Sequence, residues 1–297
     1  MRGAAGMQQL SPALRAYRGV GGRPAASPRP REEEEGEGPP GGRRGKGPAR
    51  SLFNGAEAGD GLRMERREKL QFVTEVFDRI AGHYDALNWV VSLGQTQLFR
   101  WWHLAPELAG LERGAAVLDV GCGPGNVGRL VRGLYGRPQF RLKGVDPSRE
   151  MVARARAQDP ASQYEVGDVC ALAEPDGTFE CVVTVYTLRN FPDLELGLRE
   201  MVRVLKPGGK LLILDAFPPP HGWMRRLLHL WLDRAVPCLA GLFVDPRPYA
   251  WLAASVQGTR PPEDVAALLR RHGCSDVRVR PYAFGAFAGL TALKDWG

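Results

Sequence analysis

The residues whose types and spacing could do chemistry cluster where Val117-Leu-Asp-Val-Gly-Cys-Gly-Pro-Gly-Asn126 runs from an apolar stretch into Gly121, Gly123 and Gly125. Such a stretch reads as a buried parallel strand ending in a turn where the backbone approaches a ligand closely. Side chains at those glycines would block that approach, and a helix beginning near Asn126 would point its free N–H groups at the ligand. Gly123-Pro-Gly-Asn-Val-Gly128 also satisfies the G-x-G-x-x-G pattern of a dinucleotide site. Taken alone, the glycines leave open a nicotinamide cofactor, S-adenosylmethionine and a tight structural turn.

Downstream acids narrow the choice. Leu142-Lys-Gly-Val-Asp146 ends a second strand in a carboxylate placed to accept hydrogen bonds from ribose hydroxyls. Gln163-Tyr-Glu-Val166 ends a third, and Gly167-Asp168 then offers a second carboxylate to an adenine amino group. Two strand-end acids at this spacing, followed by Leu205-Lys-Pro-Gly-Gly-Lys210, resemble the class I S-adenosylmethionine-dependent methyltransferases. A nicotinamide oxidoreductase fits that turn and the C-terminal strands poorly.

The elements that must hold these residues follow from periodicity. Leu70, Val73, Phe77 and Ile80 predict a helix over 65–83, and a second helix runs through Arg100-Trp-Trp102; both would cap the crevice. Trp89, Trp101 and Trp102 are expected in the core. Glu180-Cys-Val-Val-Thr-Val-Tyr186 is a fourth strand, delivering Thr187, Leu188, Arg189 and Asn190 to the crevice. Phe191-Pro-Asp opens a helix that Pro207-Gly-Gly209 is expected to stop, and Lys210–Phe217 is a fifth strand. A helix over 262–272 and strands over 276–282 and 287–293 close the chain. The expected architecture is α/β: a doubly wound, mostly parallel seven-stranded sheet of the class I methyltransferase, Rossmann-like type, with a helical N-terminal cap.

Three further stretches sharpen the resemblance. Val76-Phe-Asp-Arg-Ile-Ala-Gly-His-Tyr-Asp-Ala-Leu-Asn88 with Ser92-Leu-Gly94, then Leu188-Arg-Asn190, then Tyr249-Ala-Trp-Leu-Ala-Ala-Ser255, are similar to signatures of the ubiquinone and menaquinone biosynthesis C-methyltransferases. The likeness covers about residues 70–294. It implies S-adenosyl-L-methionine as cofactor and a prenylated quinol as substrate, methylated at a ring carbon that the quinol hydroxyls activate. By position, Gly121, Gly123, Pro124 and Gly125 would shape the methionine and ribose pocket, with Asp119 orienting the methionine end. Asp146 would hold ribose, and Asp168 with Val169 would hold adenine. The family's loop tolerates a hydroxyl residue where Pro124 stands, so one side-chain hydrogen bond would be missing. For proton handling the resemblance points to Arg189 and Asn190, with His83, Tyr84 and Asp85 as rivals; Arg189 would act through water or by stabilising phenolate charge. Tyr186-Thr-Leu-Arg-Asn190 departs from the Phe or Tyr followed by Gly of many relatives.

Composition bounds the rest. The chain has 297 residues, 44% of them hydrophobic, enough for a proper core. Residues 1–63 are rich in Gly, Pro and Arg with an acidic block at Glu32 to Glu35, and are expected to be a disordered tail ahead of a 64–297 methyltransferase domain. Within that domain 64–110 are the cap helices and 218–262 a substrate-side insertion. The tail carries 11 basic and 7 acidic residues, +4 of the net +7, leaving +3 on the domain and a poor footprint for nucleic acid. Cys122, Cys170, Cys181, Cys238 and Cys274 form no C-x-x-C pair and no metal cluster, so no metal is expected and Cys122 is read as packing. No run of 18 apolar residues occurs. Trp223, Leu227, Leu230, Trp231 and Arg234 fall close together on a helix, which suits a lid over a greasy substrate, a bilayer contact through 222–243, or simple packing. The expected location is cytoplasmic, peripheral at the membrane if that segment touches lipid, and mitochondrial if the tail is a transit peptide. The preferred reaction is demethylmenaquinol to menaquinol. The ubiquinone-pathway methylation, another small-molecule methyl transfer and a non-catalytic scaffold of a quinone-synthesis complex remain as alternatives, and a homo-oligomer stays open.

Overall fold

The computed structural model describes residues 65–84, 88, 92, 94–135, 140–220, 222–230, 255, 256 and 258–296, without the side chains of His83, Tyr135, Arg225 and residues 227–229. All of these belong to the unit Arg63–Gly297. The tail 1–63, Asp85, Trp89, Trp231, Arg234 and most of the Tyr249 to Ser255 motif lie outside the described residues.

Five short strands follow the glycine-to-acid grammar of the sequence: β1 Ala116–Val120, β2 Arg141–Asp146, β3 Gln163–Val166, β4 Phe179–Val185 and β5 Leu205–Ala216. They pair in parallel, and β6 Cys274–Tyr282 and β7 Phe287–Lys294 complete the sheet antiparallel, in the order β3-β2-β1-β4-β5-β7-β6. All five residues of β1 are buried, as a central parallel strand covered on both faces requires. Successive residues serve opposite faces. Leu118, Val182, Leu211 and Ile213 pack in one cluster with helices α5 Leu194–Val204 and α7 Pro262–Arg271. Val117, Cys181, Val183, Leu212 and Leu214 pack in the other with α2 Gln95–Ala109, α3 Asn126–Tyr135 and α4 Arg149–Gln158. This is the doubly wound seven-stranded sheet expected.

Two details depart from the sequence reading. Helix α5 ends at Val204, before Pro207-Gly-Gly209, and Leu205 already pairs with Phe179 in the sheet; the pairing then jumps to Cys181 with Lys210. Pro207 disfavours helical backbone at Lys206, and Lys294 from the distant β7 donates to the carbonyls of Arg203 (3.1 Å) and Leu205 (2.7 Å), capping the helix end. Trp102 is 44% exposed rather than core, while Trp101 packs against the second cluster.

Helix α1 Arg66–Ile80 continues as a 3-10 turn over Ala81–His83 and lies over α4. Asp78 accepts hydrogen bonds from the Ser148 hydroxyl and from the Glu150 N–H at the start of α4. The first helix is thereby fastened beside the carboxyl ends of β2 and β3.

Candidate active site

Strand order reverses between β1 and β4, and the crevice beyond their carboxyl ends is where an open α/β sheet takes a ligand. A cleft of about 630 Å³, including its open mouth, lies there. Its outer wall is Leu70, Val73 and Phe77 of α1; its floor includes Gly121, Gly123 and Asp146.

The glycine loop is built by three left-handed residues, Gly121 (φ 70°), Gly123 (φ 52°) and Gly125 (φ 82°). Their tasks differ. A Cβ on Gly121 would meet Thr187 at 2.5 Å, and one on Gly125 would meet the Tyr164 hydroxyl at 3.1 Å and Ala155 at 3.3 Å, so both are small because protein packs on them. At Gly123 the nearest atom would be 4.0 Å away on Tyr84, so this is the glycine whose missing side chain leaves room in the cleft. Pro124 is buried. Cys122 is buried too, its Cβ within 2.9 Å of where a Cβ on Gly144 would stand, and burial holds its thiol far from thiolate.

Asp146 lines the cleft and also ties the loop to β2, accepting from the Gly123 N–H and the Ser148 N–H at 2.9 Å each. Burial pushes its carboxyl up to about 6. Asp168 and Val169 line the same cleft. Asp168 accepts from the Cys170 N–H (2.9 Å) with one oxygen and pairs with Arg66 of α1 (3.0 Å) through the other. Asp119 is 1% exposed behind the lining, and its Oδ2 is buried with no hydrogen-bond partner. Burial pushes this carboxyl up to about 7, the Arg100 guanidinium opposing the shift.

On the far wall, Tyr186 leaves β4 with φ 62° and donates its hydroxyl to the Thr96 carbonyl (2.9 Å). The chain then forms a 3-10 turn over Leu188–Asn190. Thr187 and Asn190 reach the cleft; Leu188, expected there, turns into the core. Arg189 is drawn to Asp215, 2.6 Å from guanidinium nitrogen to carboxylate oxygen. Asp215 is fully buried and also accepts from the N–H groups of Leu188 and Ala216, at 2.7 Å each. Tyr84 lines the cleft beside Phe77, ring centroids 6.0 Å apart, and burial raises its phenol pKa against an Asn88 hydrogen bond and the nearby Arg189 charge. Of the expected proton-handling residues, Tyr84 and Asn190 therefore meet in the cleft and Arg189 stands behind Asn190. Asp85 and the His83 side chain lie outside the described residues.

Sequence reasoning passed over Asp215 and Arg100. Asp215 carried the same signal as Asp119 and Asp146, an acid near the carboxyl end of a buried strand. Arg100 gave none, sitting among aromatics on a helix read as cap and core. The residues present fit a nucleoside with a charged tail: a glycine floor open at Gly123, acids at the ends of β2 and β3, apolar walls, and a buried carboxylate oxygen that lacks a partner.

Residues 64–294 match the family model described as the ubiE/COQ5 methyltransferase family. A demethylmenaquinone methyltransferase of Roseiflexus castenholzii is 34% identical, over 76% of this chain and 95% of its own length. The ubiquinone/menaquinone biosynthesis C-methyltransferase UbiE of Desulfotalea psychrophila is 34% identical over 72% of this chain and 86% of its own. A Thermotoga maritima structure described as a SAM-dependent methyltransferase superposes with a TM-score of 0.53 at 19% identity, over 75% of this chain and all of that one, a likeness of fold.

Proposed function

The chain belongs to the ubiE/COQ5 methyltransferase family, and on that premise we propose that it transfers the methyl group of S-adenosyl-L-methionine to a ring carbon of a prenylated quinol, demethylmenaquinol being the preferred acceptor. The observation that carries the reading is one cleft at the strand-order reversal, lined together by Gly123, Asp146 and Asp168 on the donor side and by Tyr84 and Asn190 beside the anchored Arg189.

The bound cofactor supplies a methyl on a sulfonium, so the chain's own task is alignment, water exclusion and charge. Asp146 and Asp168 would hold the ribose and adenine. The apolar wall of Leu70, Val73 and Phe77 would keep water from the transfer. A guanidinium is no base for the ring proton, so Arg189, held by Asp215, would stabilise the phenolate that develops as the ring carbon attacks. Asn190 and the protonated Tyr84 would hydrogen-bond the quinol oxygen; burial keeps the phenol in its donor form.

An oxidised ring is too electron-poor to attack, so only the quinol should be methylated. The test is transfer of labelled methyl by the full chain, with demethylmenaquinol and the ubiquinone-pathway quinol side by side, each also offered as quinone. Transfer to demethylmenaquinol alone is expected, and transfer to the other quinol alone would move the protein to that pathway. Equal turnover of the quinones under strictly non-reducing conditions would remove the phenolate mechanism. No transfer at all, with cofactor bound, would remove the quinol reading.

A further inference from the structure

Thr187 lines the cleft together with Gly121 of the glycine loop and Asn190 of the turn after β4, and has no part in the binding or charge stabilisation described above. Its side chain reaches back to the glycine loop. Cγ2 and Cβ lie 2.5 and 2.9 Å from where a Cβ on Gly121 would stand, so the threonine methyl fills the space that the glycine leaves. In close packing of this kind, movement of one is felt by the other. The hydroxyl is engaged as well. Thr184 donates its own hydroxyl to the Val120 carbonyl (2.9 Å), so in the hydrogen bond between the two threonine hydroxyls Thr184 accepts and Thr187 donates. The relay therefore runs from Thr187 through Thr184 to the last residue of β1, immediately before Gly121. The backbone of Thr187 serves the other side of the cleft. Tyr186 turns the chain out of β4 with φ 62°, and the Thr187 carbonyl accepts from the Asn190 N–H (2.9 Å), closing the turn that carries Arg189 and Asn190. Asp215 of β5 holds the same turn through the Leu188 N–H and the Arg189 guanidinium. The turn is thus tied to β5 by Asp215 and to β1 and the glycine loop by Thr187.

We propose that Thr187 is a positioning residue that sets the separation between methyl donor and acceptor ring, its methyl and hydroxyl fixing the turn of Arg189 and Asn190 against the glycine loop. This rests on the methyl-transfer reading above. Transfer needs the donor methyl and the attacking carbon about 3 to 3.5 Å apart and aligned, and a misplacement of about 1 Å can cost about 100-fold in rate. A side chain that bridges the loop seating one reactant and the turn seating the other controls that distance without handling proton or charge. Its loss slows the transfer itself and leaves each reactant able to bind.

The test is single-turnover transfer by the full chain at saturating S-adenosylmethionine and saturating quinol, using whichever of demethylmenaquinol and the ubiquinone-pathway quinol the wild type methylates. The S-adenosylhomocysteine affinity, the acceptor KM and the denaturant midpoint are read alongside. Thr187→Gly should slow transfer on the order of 10- to 100-fold, and leave the S-adenosylhomocysteine affinity and the acceptor KM within about threefold. Thr187→Ser keeps the hydroxyl relay and should recover the greater part of the rate. Thr184→Val and Thr187→Val each cut the relay, so the double variant should be no slower than the slower single one. Additive losses would show that the two threonines act separately and would overturn the relay. A shifted midpoint with an unchanged transfer rate would reduce Thr187 to a structural role. Loss of S-adenosylhomocysteine affinity in step with the rate would place Thr187 in the donor site alone, and either result removes the proposal. A wild-type chain that binds S-adenosylhomocysteine and methylates neither quinol would bring down the methyl-transfer reading, and this proposal with it.

Discussion

At the residue scale, burial sets how the acids around the cleft respond to pH. Asp119 and Asp146 have folded pKa values of about 7 and about 6, above the ordinary 3.8, because burial penalises their charged forms. The folded chain therefore binds more protons than the unfolded one between about pH 4 and 7, and the sign of the linkage makes stability fall as pH rises through that window. In the ligand-free protein the stability difference between wild type and Asp119→Asn should shift against wild type by up to about 1.4 kcal/mol per pH unit across it, read from denaturant midpoints. A flat difference would mean that Asp119 ionises as freely as in water. Burial raises the Asp215 carboxyl too, but there Arg189 and two N–H donors oppose the shift. Replacing Arg189 by Met strands that charge and should cost about 3 to 5 kcal/mol of stability. The double variant Arg189→Met with Asp215→Asn should recover most of the stability and none of the turnover, since in the proposed mechanism Arg189, not Asp215, stabilises the developing phenolate. Recovery of turnover would remove Arg189 from the chemistry.

At the element scale, α1 is both wall and latch. Its Leu70, Val73 and Phe77 face the cleft, while Arg66 occupies one oxygen of Asp168, the group proposed for the adenine amino. The ion pair is half exposed on the arginine side and is worth at most about 1 kcal/mol. Arg66→Ala should then strengthen S-adenosylhomocysteine binding by up to about fivefold, mainly through the association rate; weaker binding would show Arg66 to be a ligand contact instead of a competitor. What the sequence could tell about such elements depended on range. The strands and their terminal acids were readable because burial on both faces and ligand contact are written locally, in runs such as Val117 to Asn126. The end of α5 was not, since the group that caps it, Lys294, arrives from ninety residues away in the sheet. For the same reason Arg100 gives no sign of its role in the sequence: its place over the Tyr186 ring is set by tertiary packing. Asp215 differs, for its strand-end position is as legible in the sequence as those of Asp119 and Asp146.

At the scale of the whole molecule, one edge of the sheet gathers everything the proposed reaction needs. Pro147, Gly167 and Thr187 follow the carboxyl ends of β2, β3 and β4, and the register of Ala216 with Phe287 puts the β6–β7 turn on that edge as well. We propose that residues 1–63 are separable from the site: their removal should leave the S-adenosylhomocysteine affinity unchanged. No described helix is long and apolar enough to cross a membrane. The helix α6 Gly222–Leu230 and the β6–β7 turn supply a candidate surface beside the cleft. Trp223 is 60% exposed and Phe284 73%, their rings 6.4 Å apart. Ala283 and Phe284 both hold left-handed backbone, at φ 44° and 55°, an arrangement that costs about 1 to 2 kcal/mol per residue. A Cβ on Gly285 would meet Pro220 at 2.7 Å, so the turn is seated against the chain entering α6. Strain spent on presenting an aromatic ring to solvent, with Arg226 exposed on the same helix, suits an anionic bilayer interface. Each ring is worth about 2 kcal/mol on transfer from water. Trp223→Ala and Phe284→Ala should therefore each lower cosedimentation with phosphatidylglycerol-containing vesicles by roughly 30-fold in partition constant, and leave S-adenosylhomocysteine binding as it was. Raised salt should weaken the wild type on those vesicles and leave any binding to purely zwitterionic vesicles untouched. If both alanine variants partition like wild type, the aromatic pair has another purpose and the acceptor reaches the cleft by a different face.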